Sequence, residues 1–97
     1  MTPAASLIEL LPELAGVPQA TIRSQLVLHP ARDTYLSTVA ALRDGGFALC
    51  SDLCAVDYLQ HLDREVAADV AAERFEVVVT LTSLSRGERV RIRVQVP

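Results

Sequence analysis

Near its end, from Arg89 to Val96, the chain strictly alternates polar and apolar residues, the pattern of a β-strand with one buried face. Phe75 to Leu84 is rich in β-branched residues, Ser85 to Glu88 supply a turn, and Arg89 to Val96 return. One parity of the returning strand carries Val90, Ile92, Val94 and Val96, and the other carries Arg89, Arg91, Arg93 and Gln95. The pattern predicts an antiparallel hairpin with a row of arginines on one face, which Glu76 is expected to neutralise in part.

A helix and a strand are predicted earlier in the chain. Pro30 suits the first turn of a helix, and the glycine pair at 45–46 ends it. Between them the apolar residues that recur at helical spacing are Leu36, Val39, Ala40 and Leu42. Residues 21–29 read as one strand, and a short N-terminal helix is expected between a Ser6 cap and Gly16.

The segment from Phe47 to Leu59 predicts a long strand whose alternation is imperfect. Either both faces are largely covered, or a bulge shifts the register near Asp52. The following residues, 60–73, fit either a loop or a short helical excursion. Together the elements predict an α+β fold, with an antiparallel sheet of about four strands, a helix packed on one face and a short N-terminal helix. A chain of 97 residues makes one domain, over residues 1–97.

Composition narrows the classes of partner. All nine basic residues are arginine and the net charge is −3, yet residues 86–97 contain four arginines and one glutamate, a local charge of +3. Nucleic-acid surfaces usually combine a basic domain with interleaved aromatic residues, whereas this chain has a pI of about 5.2. The arginine row therefore predicts either a solvated sheet face or a contact surface for carboxylates on a partner, with nucleic acid a weaker alternative.

No group of residues predicts a catalytic, metal or cofactor site. Cys50 and Cys54 are expected to be a buried, reduced pair. Extended spacing sets their Cα atoms about 13 Å apart, which argues against a shared metal ion. His29 and His61 are expected to face solvent or cap backbone groups. Two further acids, Asp52 and Asp57, should lie on opposite faces of the strand and serve turns, backbone caps or a subunit contact. The aromatic residue beside them, Tyr58, is expected to be half-buried in the sheet.

A known family shares this order of motifs. Leu49 to Leu59 reads L-C-S-D-L-C-A-V-D-Y-L, and Arg74 to Val94 reads R-F-E-V-V-V-T-L-T-S-L-S-R-G-E-R-V-R-I-R-V. With the variable link between them, this combination resembles the 30-kilodalton subunit of respiratory NADH:quinone oxidoreductase, complex I, over residues 24–97. The resemblance implies a cofactor-free docking subunit of the hydrophilic arm, with no catalytic residues of its own. It also implies packing against the 49-kilodalton-type subunit, near the iron–sulfur subunits that carry electrons to quinone.

The resemblance implies a protein that acts through contacts. The residues expected to form the partner interface are Arg86, Arg89, Arg91, Arg93, Asp52, Asp57 and Tyr58. Residues 1–5 lack the basic flank of a signal peptide, so the chain is expected in the cytoplasm, held at the inner face of the bacterial membrane by its partners. Family members continue beyond the last strand, whereas this sequence stops at Pro97, which predicts a fragment or a short relative. A strand edge left exposed in this way could pair two copies, and a stand-alone interaction module is the other alternative.

Overall fold

A computed structural model describes residues 11, 14, 16–61 and 63–97 of the chain. Its elements are β1 (Gln19–Ile22), β2 (Gln25–Leu28), α1 (Tyr35–Asp44), β3 (Leu49–Asp57), β4 (Phe75–Ser83) and β5 (Glu88–Val96). The strands form one sheet in the order β1-β2-β5-β4-β3. This confirms the α+β class, but the sheet has five strands rather than four, and the β2–β5 pair is parallel. The predicted N-terminal helix falls largely outside the described residues.

The additional strand comes from a tight hairpin inside the segment that the sequence predicts as one strand. β1 and β2 pair antiparallel, with Ile22 opposite Gln25. The two residues between them, Arg23 and Ser24, both have positive φ angles, 53° and 65°. Such turns normally contain Asn-Gly or Asp-Gly. Because Arg-Ser carries no such signal, sequence reasoning missed this turn.

The core lies between α1 and one face of the sheet. The helix contributes Ala41 and Leu42, and it ends at Gly45 as predicted. The buried apolar residues that pack together are Leu11, Leu14, Leu26, Leu28, Ala41, Leu42, Phe47, Val79, Leu81, Val90, Ile92 and Val94. Leu42 and Ile92 are completely buried. Full burial of such a side chain contributes roughly 1.5–3 kcal/mol to the stability of the fold. The apolar face of β5, which the alternation predicted, therefore helps to hold the sheet against the helix.

β3 forms one edge of the sheet and is exposed along almost its whole length. The sequence left two alternatives for this strand, and a register shift between Cys50 and Asp52 supports the bulge over coverage of both faces. Both cysteines are exposed, so the prediction of a buried pair is wrong. The bulge also separates them, because Cys50 lies opposite Leu81 and Cys54 lies opposite Val78, and these β4 partners have opposite parity. An edge strand without a covering layer leaves both of its faces in solvent.

Between β3 and β4 the chain runs as turns and irregular structure. This segment crosses beside the arginine-bearing face of the sheet, because the Glu65 carbonyl accepts a hydrogen bond from Arg93 of β5. The sequence pattern fits either a helix or a loop here, and the described residues form a loop. Within the described residues, no helix is long and apolar enough to cross a membrane.

Candidate protein-interaction face

The four predicted interface arginines have different environments. Arg89 and Arg91 are exposed on β5. Arg93 is only 9% exposed, and the Nε of Arg86 lies 2.7 Å from a carboxylate oxygen of Glu88. The arginine row is therefore interrupted, and two of the four guanidinium groups face solvent.

Arg93 can be buried because it forms an ion pair with Glu76. The Nε of Arg93 donates a 2.7 Å hydrogen bond to one carboxylate oxygen of Glu76. The other carboxylate oxygen accepts from Gln95 at 2.7 Å. Glu76 is 1% exposed. The prediction that Glu76 neutralises part of the arginine row is confirmed, but the pair is a buried ion pair and not a surface one.

A second guanidinium reaches the same carboxylate from the loop. The Nε of Arg64 lies 3.2 Å from Glu76, and its Nη2 donates to the Glu73 carbonyl at 3.1 Å and to the Gln95 side chain at 2.5 Å. The Cζ atom of Arg64 lies 3.7 Å from the centre of the Tyr58 ring. Tyr58 is half-buried as predicted, and it packs against a cation.

Sequence reasoning missed Arg64. The residue lies in a polar segment without periodicity, and 12 positions separate it from Glu76. No local spacing signals such a contact, because only the path of the loop brings the two residues together. The one available signal was charge, since a buried carboxylate beside a row of arginines can pair with more than one guanidinium group.

The cluster of Glu76, Arg64 and Arg93 carries one negative and two positive charges. Burial by itself raises the pKa of Glu76, but hydrogen bonds from Arg93 and Gln95 and the charge of Arg93 outweigh it, so the pKa lies below its usual range. The carboxylate therefore stays ionised at neutral pH. One excess positive charge remains in a largely buried setting, which favours a negative group nearby.

His29 lies next to this cluster and is 3% exposed, so the prediction of a solvent-facing or capping histidine is wrong for this residue. Neither ring nitrogen has a hydrogen-bond partner among the described residues. Burial, helped by the positive charge of Arg93, lowers the pKa of His29 to about 4. His29 directly follows β2 and its side chain is buried. His61, in contrast, is exposed in the loop as expected.

The two predicted acids lie apart. Asp52 lies opposite Thr80 and Asp57 opposite Phe75, positions of opposite parity on β4, so the predicted placement on opposite faces is confirmed. Both oxygens of Asp57 accept 3.0 Å hydrogen bonds from Arg74, and one also accepts from the Leu59 amide at 3.0 Å. These bonds lower the pKa of Asp57. Asp57 therefore caps the end of β3, as one predicted role required.

The cysteines and histidines are spread over the fold. In the part of the chain that the structure describes, no three His, Cys, Asp or Glu side chains come together as metal ligands would. The chemistry that this face can perform is the binding of negative groups, because its accessible charged atoms include the guanidinium groups of Arg89 and Arg91.

Comparison with known proteins agrees with the motif order. No curated protein sequence matches the chain significantly. A solved structure of the trypsin-resistant fragment (1-134) of Nqo5 superposes with a TM-score of 0.74 at 27% sequence identity, covering 100% of this chain and 72% of that one. The family model described as "Respiratory-chain NADH dehydrogenase, 30 Kd subunit" matches residues 28–97. The chain therefore belongs to the family of the respiratory-chain NADH dehydrogenase 30-kilodalton subunit, a subunit of complex I.

Proposed function

We propose that this chain, folding as a single domain over residues 1–97, is a non-catalytic docking subunit of the complex I hydrophilic arm. It assembles with the 49-kilodalton-type subunit, beside the iron–sulfur subunits, and so supports electron transfer from NADH to quinone. Family membership supports this assignment. The observation that carries the choice of docking face is the pair of exposed arginines, Arg89 and Arg91, on a strand whose other face is anchored in the core.

The two arginines are suited to recognising carboxylates. Within the described residues neither Arg89 nor Arg91 forms an ion pair, and their partners across the sheet are the neutral residues Thr82 and Thr80. Guanidinium groups are planar and weakly hydrated, so they lose less than ammonium groups when a partner displaces their water. Because β5 is internal to the sheet, the backbone that carries them is held on both sides.

The direct test is charge reversal. We expect Arg89→Glu/Arg91→Glu to weaken binding of the purified 49-kilodalton-type subunit by roughly tenfold or more, because like charges would then face the carboxylates that the arginines are proposed to bind. Arg93 is left unchanged, since its reversal would set two carboxylates together in the buried cluster. The control, Arg32→Glu/Arg43→Glu, makes the same charge change at two exposed arginines, one before α1 and one in its last turn, where Arg43 pairs with the exposed Asp44. Equal binding by both double variants would reject Arg89 and Arg91 as the docking residues.

Such docking would hold the chain at the cytoplasmic face of the membrane through its partners. Membrane fractions from cells that lack the 49-kilodalton-type subunit test this. We expect the chain to leave the membrane fraction in those cells and to remain there in wild-type cells. Retention without that subunit would contradict an attachment through it.

A second candidate function is self-association through β3. Leu53 is 64% exposed and Leu49 is 46% exposed on this edge strand. In an antiparallel pairing of two copies centred on Leu53, Asp52 lies opposite Cys54 and Asp57 lies opposite Leu49, so no like charges oppose each other. The edge is therefore compatible with a homodimer, although it lies at β3 and not at the last strand, where the sequence stops.

The structure weakens the case for nucleic-acid binding that the arginine row in the sequence suggested. Only Arg89 and Arg91 of the last-strand arginines are exposed, because Arg93 is paired with Glu76. Affinity for nucleic acid rises with the number of phosphates that are neutralised, so two guanidinium groups make a weak site. A stand-alone interaction module would use the same face, and it is distinguished from the proposed subunit by failure to bind the 49-kilodalton-type subunit.

A further inference from the structure

A polar pocket adjoins the buried Glu76 cluster on the arginine-bearing face. It has a volume of about 420 Å³, and its floor includes Val27 and Val78. This volume lies in the lower part of the range for pockets that bind small ligands or side chains. The arginines that line it are Arg23, Arg64, Arg91 and Arg93.

The charge of the lining is unbalanced. Four arginines face two acids, Glu65 and Glu76, which leaves a formal charge of +2. Glu76 is already shared between Arg64 and Arg93, and one terminal nitrogen of Arg64 is buried without a hydrogen-bond acceptor among the described residues. Arg23 and Arg91 are exposed at the rim and form no ion pair within the same part of the chain. A carboxylate that enters from solvent would balance one of these charges in a partly desolvated site, where charge pairing is stronger than in water.

The turn that carries Arg23 adds an independent argument. Both turn residues have positive φ, a conformation that costs a residue with a side chain roughly 1–2 kcal/mol relative to the right-handed region. Asn-Gly would adopt this turn with less strain, but it would remove the guanidinium from the rim. Strain that is retained at a charged rim position is typical of binding sites.

We propose that this pocket binds the carboxylate of an aspartate or glutamate side chain presented by a partner protein. The inference rests on the proposed docking function and identifies the chemistry of the partner's contact. The apolar floor accommodates the methylene groups of the acid, and the Arg23 and Arg91 guanidinium groups bind its oxygens. The pocket lies beside Arg89, so an acidic segment along β5 would reach both.

The test uses two probes. An acetylated, amidated Ala-Glu-Val-Glu-Ala peptide is titrated into the ¹⁵N-labelled chain, with Ala-Gln-Val-Gln-Ala as the neutral control. The acidic peptide is expected to shift the amides of Val27, Val78 and Arg91, and the neutral peptide is not. Arg23→Gln and Arg91→Gln are each expected to weaken peptide binding roughly tenfold, because a charge-assisted hydrogen bond is lost. Arg32→Gln, with the same charge change outside the pocket, should bind like the wild type.

Three results would overturn the inference. The first is equal shifts by both peptides, which would show that the carboxylate is not recognised. The second is equal weakening by Arg32→Gln, which would mean attraction to net charge alone. The third is tighter binding of inorganic phosphate than of the acidic peptide, which would make the pocket a site for small anions.

The same variants separate this inference from the docking function. If the wild-type chain binds the 49-kilodalton-type subunit and Arg23→Gln binds it equally well, the pocket is rejected as a docking contact. The proposed docking function would still stand in that case. A wild-type chain that binds the acidic peptide in the pocket but not the 49-kilodalton-type subunit would reject that subunit as partner and keep the pocket.

Discussion

The carboxylate of Glu76 on β4 accepts a 2.7 Å hydrogen bond from the Nε of Arg93 on β5, although the two residues are diagonal neighbours and not register partners. Glu76 lies opposite Gln95, and Arg93 lies opposite Val78. The long arginine side chain spans this offset, and the loop then closes over the pair through Arg64. The arginine-bearing face of the sheet, which the sequence pattern predicts to be exposed to solvent, therefore contains a buried polar cluster.

Neutralising Glu76 is expected to destabilise the fold strongly. Glu76→Gln leaves two guanidinium groups without their carboxylate in a buried site, which typically costs about 3–5 kcal/mol of unfolding free energy. Urea denaturation measures the change. Asp57→Asn, which breaks the exposed pair with Arg74, is the control and should cost far less. Similar losses in the two variants would contradict the assigned role of the buried cluster.

Acidification is expected to destabilise the protein through His29. Its folded-state pKa of about 4 lies below the ordinary 6.5, so the unfolded chain binds a proton first as the pH falls. The unfolding free energy should therefore fall by about 1.6 kcal/mol between pH 6.5 and pH 5, with a slope that steepens from about half of the limiting 1.4 kcal/mol per pH unit at pH 6.5. Denaturation curves across this range measure it.

The histidine variants identify the source of that pH dependence. His29→Leu should flatten the profile between pH 6.5 and pH 5, because no proton is then taken up at this site on unfolding. His61→Gln removes the exposed histidine and should leave the slope unchanged. A wild-type profile that is already flat would refute a buried, neutral His29.

Relieving the strained turn is expected to stabilise the chain. Arg23→Asn/Ser24→Gly places residues that tolerate positive φ at both turn positions, which should raise the unfolding free energy by about 1–2 kcal/mol. Thermal unfolding would show a higher midpoint. Ser24→Gly alone keeps the Arg23 charge, so it should gain part of the stability and retain acidic-peptide binding. A lower midpoint for the double variant would mean that the wild-type turn is not strained.

The exposed edge strand is expected to mediate association between copies. Light scattering of the wild-type chain should show an apparent mass that rises with concentration. Leu53→Lys should remain monomeric, because a charge on an edge strand opposes pairing. Leu36→Lys makes the same change on the helix, at a residue that is 76% exposed, and should associate like the wild type. A wild-type monomer at every concentration would eliminate the homodimer.

Several features of the fold could be predicted from local sequence. The alternation of β5 identified its buried face, and Val90, Ile92 and Val94 are buried as expected. The helix boundary at Gly45 was also predicted, since it follows from the preferences of a few neighbouring residues. The bulge near Asp52 was one of the two alternatives that the imperfect alternation left open. The order of motifs was sufficient to indicate the family, which the family match over residues 28–97 confirms.

Long-range contacts decided the rest. The parallel pairing of β2 with β5 joins Val27 to Arg91 and Leu28 to Ile92, and no local pattern specifies it. His29 is buried just beyond β2, and the loop between β3 and β4 covers Arg93. Cys50 and Cys54 are exposed because β3 is an edge strand without a covering layer. The sequence by itself determined which faces are apolar, because side-chain period depends only on neighbouring residues. Only the tertiary structure decided which polar residues are covered, since burial depends on which distant segment packs against each face.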